Sequence, residues 1–177
     1  MKGLPIGIEN FKTMIDKEVY YIDKSELIKD VVDEQIVLYT RPRRFGKTLN
    51  MSMLYYFFSN KEKDNAYLFN GLKINKYLEV MKHQNRYPVI FITLKDMKGM
   101  KYRTQIYMFA SAIARILDKY EDILESDIFN QREKELLQAY HNLKATDDEL
   151  KNSLLNISRC LERYYQQKVI ILIDEYD

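Results

Sequence analysis

The chain of 177 residues is expected to adopt an α/β fold, a parallel sheet between two layers of helices. Two observations predict it. Apolar runs of strand length at 36–40, 88–94 and 169–173 alternate with longer stretches whose apolar residues recur at helical spacing. The last run, Val169-Ile170-Ile171-Leu172-Ile173, is apolar at every position, the pattern of a central parallel strand buried on both faces. A composition of 46% hydrophobic and 31% charged residues fits one globular domain over 1–177 and speaks against disorder.

Each element has its own signal. Asp23-Lys24-Ser25-Glu26 has capping-box spacing and opens a helix through Val32, with Leu27, Ile28, Val31 and Val32 as its apolar face. Ile36-Val37-Leu38-Tyr39-Thr40 forms the first strand. A helix from about 47 to 59 follows, carrying Leu49, Met53, Leu54, Phe57 and Phe58 at helical spacing. Residues 60–86 are polar and turn-rich, with anchors at Phe69, Leu72, Ile74 and Tyr77. The run 88–94 is a second buried strand, and a helix over about 103–120 faces Ile106, Phe109, Ile113, Ile116, Leu117 and Tyr120 inward. Residues 130–142 look helical. Thr146-Asp147-Asp148-Glu149 is another capping box, leading an amphipathic helix with Leu150, Leu154, Ile157, Leu161 and Tyr164 that covers one face of the sheet. Strand 169–173 closes the chain.

The first strand runs into Arg41-Pro42-Arg43-Arg44-Phe45-Gly46-Lys47-Thr48 and then a helix. A strand, a short loop and Gly-Lys-Thr opening a helix is how backbone N–H groups come to surround the phosphates of a nucleotide. Lysine adds charge for the β- and γ-phosphates, and threonine offers a hydroxyl to Mg²⁺. Arg43, Arg44, Phe45, Gly46, Lys47 and Thr48 are the phosphate-binding candidates, with Thr48 also on the metal. The usual pattern has glycine five positions before Gly46, where this chain has Arg41. Pro42 restricts Arg41 to extended conformations, so the loop keeps its length with a different entry. Asp23 and Lys24 are placed beside the base and ribose.

At the other end, the apolar run delivers Asp174 and Glu175 to its carboxyl end. Asp174 is the second Mg²⁺ residue, and Glu175 is the candidate catalytic base that orients or deprotonates the attacking water. Lys47 and Asp174 are expected to serve one triphosphate–metal centre.

Tyr20-Tyr21-Ile22-Asp23-Lys24-Ser25, the loop 40–48, Arg86-Tyr87-Pro88-Val89-Ile90-Phe91 and Ile173-Asp174-Glu175-Tyr176-Asp177 together closely resemble the predicted AAA-ATPase-like family. Longer members of that family often carry a C-terminal nuclease-like domain of the PD-(D/E)XK type. The resemblance runs from Leu4-Pro5-Ile6-Gly7 onward, and arginine routinely replaces the first loop glycine in that family. It implies a three-layer, additional-strand P-loop NTPase core of the AAA type, with ATP and Mg²⁺ as ligands. It implies too that 1–177 is an N-terminal portion, truncated after the Walker B strand, because the intervening strand and the arginine sensors come later in sequence. Such a piece is expected to leave strands 36–40 and 169–173 gapped or falsely paired, to be poorly stable, and to turn over negligibly. Through a linked nuclease-like domain, nucleic acid is a possible further partner.

Charge and cysteine bound the alternatives. The net charge is +2, but residues 61–120 hold 12 Lys/Arg against 5 Asp/Glu while residues 121–177 hold 7 against 13. The basic block, with Lys95, Lys98, Lys101, Tyr102 and Arg103, could meet a nucleic-acid backbone, although such lysines commonly serve solubility. The lone Cys160 forms no internal disulfide and lies on an apolar helical stripe; with no signal-peptide or membrane-spanning run, the expected location is the cytoplasm. Three functions remain in competition: an ATP-binding, Mg²⁺-dependent hydrolase domain, a nucleotide-gated switch or scaffold with little turnover, and a nucleic-acid-associated module.

Overall fold

The computed structural model describes residues 3–40, 45–97 and 101–175. The chain divides into two compact units, residues 1–89 and 90–177.

The first unit is built on helices. They are α1 (Phe11–Asp16), α2 (Leu27–Val31), α3 (Lys47–Phe58) and α4 (Leu78–Met81), with 3₁₀ turns at Lys63–Phe69 and Lys73–Lys76. Apolar burial gathers them: Phe11, Met14, Ile28, Met53, Phe57, Leu68, Phe69 and Ile74 are buried. Phe69 lies 5.2 Å from Phe11 and 5.1 Å from Phe57, centroid to centroid. These are separations at which aromatic pairs attract beyond their buried area. Ser52 accepts a hydrogen bond from the Phe11 N–H at 3.0 Å, which ties α1 to α3. Asn85 closes the far end of α3. Its backbone N–H donates to Phe57 O, and its side-chain amide donates to Tyr56 O and Ser59 O. Its φ of +54° is left-handed, which asparagine tolerates better than most residues.

Two expectations fail in this unit. Residues 36–40 form no strand: among the described residues they have no ladder partner, and Ile36 and Leu38 stay 91% and 68% exposed. An apolar, β-branched run becomes a strand only where a neighbour accepts its N–H groups, and local propensity cannot supply that neighbour. The capping box at 23–26 is also absent. Helix α2 starts at Leu27 with no side-chain cap. Asp23 Oδ1 accepts from Ser25 N at 2.8 Å, two residues on, and Oδ2 accepts from Lys73 N at 2.7 Å. Asp23 therefore makes a local turn, in competition with the helix cap, and staples that turn to a distant one. Ser25, fully buried, accepts from Ile74 N beside it.

In the second unit a two-stranded parallel sheet pairs β1 (Val89–Thr93, starting at the unit boundary) with β2 (Ile170–Asp174). Between them run α5 (Tyr102–Asp118), α6 (Glu121–Leu124), α7 (Gln131–His141), α8 (Asp147–Lys151) and α9 (Ser153–Tyr165). The core joins Ile90 and Ile92 to Ile113, Leu117, Tyr120, Leu137, Tyr140, Ile157 and Leu161. The helices expected near 103–120 and 130–142 are α5 and α7. Thr146 and Glu149 form the expected capping box on α8, and Asn130 with Glu133 forms another on α7. The single helix expected after Thr146 is broken at Asn152, where Ser153 turns its hydroxyl back onto Leu150 O. The sheet departs from the expected double burial. Leu172 and Asp174 are buried, but Ile171 and Ile173 on the opposite face are exposed. The α/β character stands, with one face of β2 covered among the described residues.

Candidate phosphate- and metal-binding residues

Gly46 is the N-cap of α3, with φ +75° and ψ 30°. Among the described residues a Cβ built there would meet nothing within 4 Å, so the demand for glycine comes from the backbone conformation. Any L-residue in that left-handed geometry would cost roughly 1–2 kcal/mol. The turn swings the chain directly into the helix. Lys47 and Thr48 occupy its first turn, half-buried, and Asn50 N donates to Gly46 O at 3.0 Å to start the ladder. Gly46 itself brings no side chain to cap this end of α3. A helix leaves its first N–H groups without intrahelical acceptors and gathers a partial positive charge around them, so an uncapped N-terminus attracts anions.

The helix behind that turn is held firmly. Met53 and Phe57 are buried in the core, and Ser52 binds the α1 backbone. Asn50, 1% exposed, donates from Nδ2 to the Tyr39 hydroxyl at 2.8 Å. Phe45 is exposed. Arg41, Pro42, Arg43 and Arg44 lie outside the described residues, as do Lys98, Tyr176 and Asp177.

In the second unit, Asp174 ends β2 on the strand's buried face. It is 1% exposed, and its backbone carbonyl accepts from Leu94 N. Its Oδ1 accepts from Glu175 N at 3.1 Å. Its Oδ2 is buried with no hydrogen-bond partner among the described residues. A carboxylate oxygen removed from water without a partner is costly, and a cation or an ordered water relieves the cost. Glu175 follows in a left-handed backbone with φ +53°, a conformation that costs a non-glycine residue on the order of 1 kcal/mol. Such strain concentrates at positions where side-chain direction matters. The Gly46–Thr48 turn thus belongs to the first unit and the Asp174–Glu175 pair to the second.

Other candidates resolve into structural roles. Both carboxylate oxygens of Asp23 are taken by the Ser25 and Lys73 N–H groups, so its placement beside base and ribose is not supported. Burial alone would raise the pKa of Asp23, but the hydrogen bonds from Ser25 and Lys73 outweigh it and hold the group below its usual value. Cys160 is buried and its thiol is pushed up by that burial, the signature of inert packing. From the basic block, Tyr102 donates its hydroxyl to Asp147 at 3.2 Å. A groove of about 710 Å³ between α7 and α9 is lined by Leu136, Leu137, Cys160, Glu133 and Arg163 among others, and none of the described motif residues borders it. Its Arg163 is paired with Glu133 at 2.7 Å and lies over the Phe129 ring. The pairing of Asn50 with Tyr39 is the feature that sequence reading misses. Asn50 falls among the polar residues of a helix whose apolar spacing says nothing of a partner on the preceding segment.

A family model described as predicted AAA-ATPase matches residues 5–177. An uncharacterized protein in the vnfD 5′ region of Azotobacter chroococcum mcd 1 is 25% identical over 178 residues, a match covering 99% of this chain and 29% of that relative. The chain therefore spans under a third of the relative's length. No solved structure matches. Among the described residues, no helix is long and apolar enough to cross a membrane.

Proposed function

Since the chain belongs to the predicted AAA-ATPase family, we propose that it binds ATP at the Gly46–Thr48 turn and, within the full-length protein, supports Mg²⁺-dependent hydrolysis. The observation that carries this reading is the N-terminus of α3, entered through a left-handed glycine and followed at once by Lys47 and Thr48. Backbone N–H groups there meet phosphate oxygens, the Lys47 ammonium adds charge at the β- and γ-phosphates, and Arg43 and Arg44 add more from the preceding loop.

The residues also suit a hard divalent cation. Asp174 offers a buried carboxylate oxygen with nothing else to bind among the described residues, and Thr48 offers a hydroxyl. Bound Mg²⁺ supplies neutralisation of the charge on the phosphate oxygens. Glu175 holds the attacking water and takes its proton at the carboxylate. The strained backbone of Glu175 is consistent with a side chain aimed for that task.

Single-turnover hydrolysis by Glu175→Gln in the full-length protein tests the assignment. The variant is expected to keep its affinity for ATP and to hydrolyse it about 100-fold more slowly, the scale of a lost general base. A rate equal to the wild type's rejects Glu175 as the base. Binding without measurable turnover in either protein makes the domain a nucleotide-gated switch.

A further inference from the structure

The Tyr39–Asn50 hydrogen bond stands across the phosphate-binding turn, one partner on the segment before it and the other one turn inside α3. Four features set it apart. The bond closes eleven residues of sequence at 2.8 Å. Asn50 is 1% exposed, so its amide has little water to fall back on. Within the segment 36–40, Tyr39 is the residue drawn inward, while Ile36, Val37, Leu38 and Thr40 are exposed. That segment has no ladder partner among the described residues, so β-pairing does not hold it in place.

A phosphate-binding turn works by preorganisation. Its N–H groups attract an anion strongly only when their directions are fixed before binding, because ordering them at the moment of binding subtracts from affinity. Burial of Met53 and Phe57 fixes α3 on the downstream side. Upstream, the Tyr39 hydroxyl meets a donor that is itself rigid. We propose that Tyr39 and Asn50 are positioning residues: a tether that fixes the chain on either side of Gly46-Lys47-Thr48 and so sets the affinity for the triphosphate. The tether touches no ligand and acts through the turn. This inference rests on the reading of that turn as the ATP site.

The test is the Kd of Mg²⁺-ATP for the full-length protein, measured where every variant is fully folded. The set comprises wild type, Lys47→Ala, Tyr39→Phe, Asn50→Leu and the Tyr39→Phe/Asn50→Leu double variant. Tyr39→Phe keeps the ring and removes only the hydroxyl, and it lies on a segment whose other residues are exposed, so the fold survives it. Tyr39→Phe is expected to weaken binding about five-fold, the scale of one net hydrogen bond. The double variant is expected to bind no more weakly than the worse single one, because both remove the same bond. A merely structural bond would lower the melting temperature and leave the Kd of the folded protein unchanged. Wild-type affinity in Tyr39→Phe, or effects that multiply in the double variant, would overturn the tether while leaving the ATP site standing. Equal affinity in wild type and Lys47→Ala would remove the ATP site, and the tether's role with it.

Discussion

At the scale of single residues, the roles are decided by where each polar atom finds its partner. Asp23 shows the limit of local reading. Its spacing from Glu26 suggests a helix cap, but one of its oxygens is used on Lys73, fifty residues away, and no local pattern encodes that destination. Gly46 is the opposite case. Gly-Lys-Thr after an apolar run marks the start of a helix in the sequence itself, and α3 does begin at Lys47, behind a Gly46 of φ +75°. Asp174 is legible as a residue, and its unpartnered oxygen becomes visible only with the strand's register. The Asp23 staple carries a pH dependence. Its carboxyl titrates below the ordinary 3.8, so its contribution to stability is complete above that value and disappears as the pH falls through the lower, folded-state value. Thermal melts of wild type and Asp23→Asn from about pH 6 to about pH 3 should show the wild type's advantage shrinking in the acidic part of the range. A gap that stays constant across it would show that the hydrogen bonds do not depend on the charge.

At the scale of elements, helices read better than strands, for a physical reason. A helix satisfies its own backbone within four residues, so its apolar stripe and caps are local signals. Hence α3, α5, α7 and the capping box of α8 are legible, while the break at Asn152 depends on Ser153 meeting Leu150 O. A strand needs a ladder, and among the described residues the run 36–40 joins none. The box at Thr146 and Glu149 gives a direct check. Thr146→Ala removes the acceptor for Glu149 N at the start of α8 and should cost about 1 kcal/mol, read as a lower denaturant midpoint with an unchanged slope. No change in the midpoint would mean that packing of Leu150, not the cap, holds that helix.

At the scale of the whole molecule, the sequence carries two chemical motifs far apart along the chain, and each sits in its own compact unit. Glycine turn, lysine and threonine are properties of the first unit. The buried aspartate and the strained glutamate are properties of the second. The function proposed above gives the two motifs a common purpose, ATP, and the chain makes up under a third of its Azotobacter relative. Calorimetric titration of ATP into the full-length protein, with and without Mg²⁺, examines that common purpose most directly in wild type, Lys47→Ala and Asp174→Asn. Lys47→Ala should weaken ATP by about 30-fold or more under both conditions, as expected for a lost charge-assisted contact to phosphate. Asp174→Asn should keep the metal-free affinity and lose the gain that Mg²⁺ brings. ATP bound as tightly by Lys47→Ala as by the wild type, or a gain from Mg²⁺ untouched in Asp174→Asn, would contradict the account.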